Sequence, residues 1–269
     1  ASDGDGDRNM IVGRGAFVSP SDSLALIAQH HTSIPQFAAG LKGVARSMPT
    51  STALDRVAQS LNLPCYETPT GWKFFGNLLD DGLVRLCGEE SFGTSGDHVR
   101  EKDGVWTVLC WLSILADRRQ SVADLLRQHW TEFGRSYYCR HDYEGLPPDQ
   151  AQETLEQVLS QRDSLIGSRC GSMTVADVNV FSYQDPVDGS VADNQGVRVI
   201  FDDESRVVYR LSGTGTDAAT VRVYLEQIER ESTRQGQDAI VYNEVLGRFA
   251  NHIAAIEART GMAEPTVKT

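Results

Sequence analysis

Val197-Arg198-Val199-Ile200-Phe201, then Asp202-Asp203-Glu204-Ser205, then Arg206-Val207-Val208-Tyr209-Arg210-Leu211: this stretch decides what the second half of the chain builds. Val197, Val199 and Phe201 recur at every second position, the period of a strand with one face buried. The acidic turn is too short for anything but a tight connection. Val221, Val223 and Leu225 alternate again, with Arg222, Tyr224 and Glu226 between them. Strands of this period on short connections predict an antiparallel sheet. A helix is expected before them at about 150–162. Another is expected after them on Val241, Val245, Phe249, Ile253 and Ile256, stopped by Gly261 and Pro265. This half is α+β.

Upstream the texture changes. A short strand is expected at 10–12. Pro20-Ser21-Asp22-Ser23 opens a helix with Ser21 as its N-cap, and a second helical pattern covers 52–61. A strand and loop follow at 65–75, with Trp72 and Phe74 as core anchors. Next come a strand at 83–87, a glycine-rich loop at 88–96, and a buried helix at 104–116 capped by Asp103. Alternating strands, loops and helices predict an α/β domain. Ser121 opens one more helix, ended by Gly134, and the linker is placed near it.

The chain has 269 residues, 40% of them hydrophobic and 23% charged, enough for about two globular domains. Its 25 Lys plus Arg against 37 Asp plus Glu give a formal charge of −12. That excludes a broad nucleic-acid surface. The longest apolar stretch, at 105–116, is too short to span a bilayer. The five cysteines are widely spaced, with no CxxC pair. They read as reduced thiols of a cytosolic protein, not as a zinc site. The sequence opens without Met on a dense acidic loop, which is expected of the second part of a longer chain.

Four constellations carry chemistry. In Asp3-Gly4-Asp5-Gly6-Asp7-Arg8, three carboxylates alternate with glycines that let the backbone curl. Crowded carboxylates need a cation between them, and oxygen-only ligation favours Mg²⁺. An EF-hand is excluded, because Arg8 and Arg14 stand where it needs Gly and Glu. A D-x-D-x-[TV] phosphatase loop fails at Asp7. Glu67-Thr68-Pro69-Thr70-Gly71-Trp72 is a polar turn leading into an aromatic segment. Gly88-Glu89-Glu90-Ser91-Phe92-Gly93 offers acceptors suited to adjacent sugar hydroxyls, and Lys102 beyond it is placed to aim a cation into the same cleft. Arg210-Leu211-Ser212-Gly213-Thr214-Gly215-Thr216, with Arg222 after it, is not a Walker loop. Its glycines, hydroxyls and arginines still suit a phosphate.

Together these motifs resemble the C-terminal half of the α-D-phosphohexomutase family. The resemblance rests on DGDGDRN, ETPTGWKFFGN, GEESFGTSGDH, REKDG and RLSGTGTDAATVR, in that order. The GEES form points to the phosphoglucomutase branch. The resemblance implies a mixed-sheet α/β domain followed by an α+β domain resembling the TATA-binding-protein fold. Its limits would be 1–18 for the tail of a second domain with the metal loop, 19–120 for the third domain, and 121–269 for the linker and C-terminal domain. It implies interconversion of glucose 1-phosphate and glucose 6-phosphate through a phosphoserine and glucose 1,6-bisphosphate, the activator and intermediate. Asp3, Asp5 and Asp7 would bind Mg²⁺, and Arg8 would face the transferring phosphoryl group. Thr70, Glu89 and Ser91 would contact the sugar, and Lys102 would stabilise charge or move a proton at the reacting oxygen. Arg210, Ser212, Thr214 and Arg222 would hold the other phosphate. The family's Ser-His-Asn-Pro-like phosphoserine motif is absent from these residues, so this piece alone is expected to be inactive. The expected partners are sugar phosphates and the N-terminal domains of the same chain, with no nucleic acid and no membrane. The full-length protein is expected to be a cytoplasmic monomer. The alternatives are a non-enzymatic relative of the fold and a metal-dependent sugar-phosphate phosphatase.

Overall fold

The structure is a computed structural model and describes residues 1–213 and 218–269. By contacts it divides into two units. The first comprises Ala1–Arg135, Tyr183–Val191 and Arg230–Ser232, and the second comprises Ser136–Ser182, Ala192–Glu229 and Thr233–Thr269.

In the first unit a hairpin, β1 (Ile11–Gly13) and β2 (Ala16–Val18), leads into α1 (Pro20–Gln29). Ser19, not Ser21, caps α1, its hydroxyl accepting the Asp22 N–H at 3.0 Å. Pro20 fills the first helical position, where its missing N–H costs nothing. Ser21 lies inside the helix and accepts the Ser51 N–H. Then follow β3 (Val44–Ser47), α2 (Ala53–Ser60), β4 (Cys65–Thr68), α3 (Trp72–Asp80), β5 (Leu86–Gly88), β6 (Thr94–Gly96), α4 (Gly104–Arg118) and α5 (Val122–Phe133).

The sheet order is β4-β3-β5-β6, parallel except for β5 against β6. Both faces are covered, as a mostly parallel sheet requires. Val44 and Leu86 pack with Ile27, Leu54, Trp111, Ile114, Leu125 and Phe133, while Ala45 and Cys87 pack with Trp72, Phe75, Leu78 and Leu79.

The stretch expected as strand and loop at 65–75 therefore ends in a helix. Trp72, Phe75, Leu78 and Leu79 carry its helical period, and Phe75, not Phe74, is the anchor beside Trp72. Phe74 meets Tyr183 edge-on instead. The strand expected from 83 begins at Leu86. Helix α4 is capped by Asp103 as expected. It is not buried all round, because Val105, Leu109 and Leu112 form an exposed stripe, each more than half exposed. Helix α5 buries Leu125, Leu126 and Phe133 in the first unit's core. The division by contacts falls after Arg135.

This core holds a buried histidine. His129 sits with Nδ1 2.8 Å from Gln29 Oε1, and burial pulls its pKa down to about 3; burial likewise takes neighbouring His30 to about 4. Both lie below the ordinary 6.5. The unfolded chain therefore takes up protons that the folded one refuses, and stability falls as pH drops from 6.5 toward 3. Burial of Asp22 raises its carboxyl and opposes this at the acid end. His129→Gln is expected to flatten the fall in melting temperature between pH 6.5 and 4. An unchanged slope would remove His129 as its source.

The second half adds β7 (Arg135–Leu146), α6 (Pro148–Ser160), α7 (Arg162–Leu165), β8 (Arg169–Cys170), β9 (Met173–Val180), β10 (Tyr183–Gln184), β11 (Val191–Ala192), β12 (Val197–Phe201), β13 (Arg206–Ser212), β14 (Ala219–Glu229), α8 (Ala239–Tyr242), α9 (Glu244–Ile253), α10 (Ile256–Thr260) and β15 (Val267–Lys268). A seven-stranded sheet runs β15-β7-β14-β13-β12-β9-β8. The expected antiparallel strands are present, with Val199 opposite Val207 and Tyr209 opposite Val223. Their odd-numbered side chains meet Ala151, Leu155, Leu246, Ala250 and Ile253 in one core.

Strand β7 was not foreseen. Its core residues Tyr137, Cys139 and Tyr143 alternate with Arg and Asp, and its burial extends to both faces. The last helix is three pieces: Asn243 separates α8 from α9, and Ala255, left-handed at φ 48°, separates α9 from α10. Its buried stripe is Leu246, Ala250 and Ile253; Val241 and Val245, expected on that face, are exposed.

Candidate functional site

In the first unit one carboxylate oxygen from each of Asp3, Asp5 and Asp7 lies within 4.8 Å of the others. Arg8 offsets their repulsion, with Nη1 3.3 Å from Asp3 Oδ2 and 3.9 Å from Asp7 Oδ1. Partial dehydration pushes the Asp3 carboxyl up, and hydrogen bonds from Arg8 outweigh it, leaving the carboxyl below its ordinary value. Asp7 Oδ1 is buried with no hydrogen-bond partner among the described residues. A buried acceptor without a donor, in a set of converging oxygens, fits a hard divalent cation.

The loop is pinned from outside. Asn9 donates its N–H and its side-chain amide to the Phe92 carbonyl at 3.2 and 3.3 Å, and Arg8 bridges to Gly93. At the start of α4, a Cβ on Gly104 would lie 2.6 Å from the carbonyl oxygens of Gly6 and Arg8. Gly104→Ala must therefore push the loop off the helix. It is expected to weaken Mg²⁺ binding about tenfold, measured calorimetrically, by analogy with losing an outer-shell support. Unchanged affinity would contradict this packing.

Lys102 ties the acidic loop to the loop after β5. Its Nζ lies 3.7 Å from Asp7 Oδ2 and 4.0 Å from Glu89 Oε2, with the side chain only 14% exposed. Its stem crosses Gly93, where a Cβ would stand 2.6 Å from Lys102 Cδ. The ammonium is 5.9 Å from the Trp72 ring centroid. Glu89 is buried, and its Oε1 accepts the Gly71 N–H at 3.0 Å. Thr70 Oγ1 is buried without a hydrogen-bond partner among the described residues, and Ser91 is partly exposed beside Glu89. The fold thus gathers the segments of Asp7, Arg8, Thr70, Glu89, Ser91 and Lys102 in one unit.

Sequence reasoning missed what supports them. Gly71, at φ 129°, supplies the donor to Glu89 from a backbone that side chains rarely adopt. Arg46 is buried under the loops, pairing with Asp55 and, at 2.9 Å, with Glu67. It also donates to the carbonyls of Ser47, Met48 and Thr50. Ser47 in turn donates to Glu90 at 3.3 Å. The Thr-Gly pair was a readable signal for Gly71. A lone arginine within Val-Ala-Arg-Ser gave none.

In the second unit Arg210 and Arg222 are cross-strand partners of β13 and β14, on the face away from the core. Like charges placed directly opposite destabilise a sheet, unless something negative joins them. Arg210 Nη1 donates to the Tyr224 hydroxyl at 3.3 Å, and Arg222 Nε is 3.8 Å from Asp142 Oδ2. Ser212 ends β13 on the same face, opposite Thr220. Thr214 lies outside the described residues.

Comparison with known proteins agrees with these motifs. Residues 19–133 match the family model for phosphoglucomutase/phosphomannomutase alpha/beta/alpha domain III, and 135–266 match that for the phosphoglucomutase-1 C-terminal domain. A Rhizobium radiobacter phosphoglucomutase is 54% identical over 269 residues, all of this chain and 50% of the relative. The chain belongs to the α-D-phosphohexomutase family. A Zea mays relative, "phosphoglucomutase, cytoplasmic 1", is 51% identical over all of this chain and 49% of its own length. The open-form crystal structure of Paramecium pp63/parafusin, described as a phosphoglucomutase, superposes with a TM-score of 0.92 at 46% identity, over all of this chain and 47% of that one. The mixed and antiparallel sheets are those of the phosphohexomutase fold. The chain spans about half the length of the curated relatives it matches.

Proposed function

We propose that the full-length protein interconverts glucose 1-phosphate and glucose 6-phosphate by phosphoryl transfer through a phosphoserine and glucose 1,6-bisphosphate. The observation that carries this is Lys102, which stands between a carboxylate of the acidic loop and the buried carboxylate of the GEES loop. A cation there serves both the phosphoryl group and the sugar oxygen that receives it.

Asp3, Asp5 and Asp7 would hold Mg²⁺, which when bound supplies charge neutralisation to the phosphoryl group. Arg8 faces that group, and Lys102 stabilises the charge, or moves the proton, at the reacting oxygen. Thr70, Glu89 and Ser91 orient the sugar through its hydroxyls. Arg210, Ser212, Thr214 and Arg222 hold the phosphate that does not move. The hydroxyl-to-phosphorus bond forms as the serine-to-phosphorus bond breaks, and the return step reverses this at the other sugar position. Such chemistry rests on positioning and on neutralising oxyanion charge. The phosphoserine motif that the resemblance implies is not among these residues, so the 269 residues alone are expected not to turn over. The same reading makes the full-length protein a monomer that meets the N-terminal domains of its own chain.

A cytoplasmic place is supported by the Zea mays relative's description. No helix among the described residues is long and apolar enough to cross a membrane. The test is a coupled assay of glucose 6-phosphate formation by the full-length protein, omitting Mg²⁺ and the bisphosphate in turn. Activity is expected to fall in both omissions. Undiminished activity without a divalent cation would overturn the metal assignment.

A further inference from the structure

Arg222 and Arg210 have a neighbour on the next strand. Strands β7 and β14 are adjacent in the sheet. Ser136 donates to Glu226 at 2.8 Å, and the rings of Tyr138 and Tyr224 are 6.4 Å apart. Arg222 is opposite Arg210, and Arg140 lies on the strand beside that of Arg222. Three arginines thus stand on three neighbouring strands.

The Asp142 carboxylate reaches two of them. Asp142 is buried at 3% exposure, and its Oδ1 lies 2.9 Å from Arg140 Nε, nearer than its Oδ2 lies to Arg222 Nε at 3.8 Å. The main chain of Asp142 is fixed by the segment around Thr266, which donates both its N–H and its hydroxyl to the Asp142 carbonyl at 2.8 Å. Arg140 is tied to Thr269 by N–H···O bonds in both directions. On the same face Arg206 is neutralised by Glu226 at 2.8 Å.

We propose that Arg140 is a positioning residue of the phosphate clamp: it takes up the charge of Asp142 and so leaves Arg222 and Arg210 to a phosphate dianion. With Asp142 matched by Arg140, the guanidinium groups of Arg210 and Arg222 bring two positive charges to the clamp. A phosphate monoester carries close to two negative charges at neutral pH, its second pKa being about 6. Without Arg140 the Asp142 carboxylate closes on Arg222, and the clamp loses charge and alignment together. This inference rests on the proposed function for the ligand, and on the side-chain geometry for the residue.

The test uses the full-length protein, with glucose 6-phosphate binding measured calorimetrically and turnover measured in parallel. Arg140→Gln is expected to raise Kd and KM about tenfold, the effect of one lost charge-assisted contact, while kcat stays within about threefold. The double variant Arg140→Gln with Asp142→Asn restores the two positive charges and is expected to recover most of the affinity. A merely structural pair would be damaged further by the second change. Unchanged binding in Arg140→Gln, or a double variant no better than the single, overturns the inference. If Arg140→Gln does not fold, Asp142→Asn alone decides. Binding at least as tight as in the parent supports charge balance, and weaker binding overturns it. A parent protein that binds glucose 6-phosphate without isomerising it would refute the proposed function and leave this inference standing. A parent that does not bind it refutes both.

Discussion

Asp5→Asn in the full-length protein is expected to lower kcat for isomerisation by about two to three orders of magnitude, the usual cost of removing one preorganised electrostatic contact from a transition state. The acidic loop has few ways to compensate. Three of its carboxylate oxygens lie within 4.8 Å of one another, and the loop backbone is fixed to Phe92, Gly93 and the start of α4. Asn keeps the shape and an acceptor oxygen but withdraws a charge from the cation. The Mg²⁺ concentration needed for half-maximal activity should rise, while KM for the sugar phosphate changes little. A variant with parental kcat would show that the loop is an acidic turn without a catalytic cation.

Lys102→Met is expected to be comparably severe, with kcat reduced about 10²- to 10³-fold. Methionine retains a linear stem for the groove over Gly93 and beside Trp72, so packing is largely kept and the loss is that of the ammonium. Lys102→Arg is not expected to rescue it. The wide, planar guanidinium replaces a compact charge that stands 3.7 Å from Asp7 and 4.0 Å from Glu89. Equal activity in Lys102→Arg would place Lys102 outside the reacting atoms.

Much of this was legible in the residues, for identifiable reasons. Strands β12, β13 and β14 announce themselves because one face is buried and the other polar. Asp103 and Ser121 announce helix starts through side-chain caps that need only local sequence. Strand β7 and helix α3 were obscured by context. Tyr, Cys, Arg and Asp alternate along β7, where charges such as Asp142 are buried against arginines of the same sheet, a pairing that no local pattern displays. The 65–75 stretch combines a strand and the first turn of a helix around Gly71, whose conformation separates them. The acidic and GEES loops could be found as motifs. That Lys102 joins them, that Gly71 orients Glu89, and that Arg46 braces the turn beneath are facts of three-dimensional packing.

Phosphorus NMR of glucose 1-phosphate incubated with the full-length protein, Mg²⁺ and catalytic glucose 1,6-bisphosphate tests the central claim most directly. The 1-phosphate resonance should give way to that of glucose 6-phosphate while inorganic phosphate stays constant. Growth of inorganic phosphate without the 6-phosphate would indicate a phosphatase, and an unchanged spectrum a non-catalytic relative; either would contradict the mutase assignment.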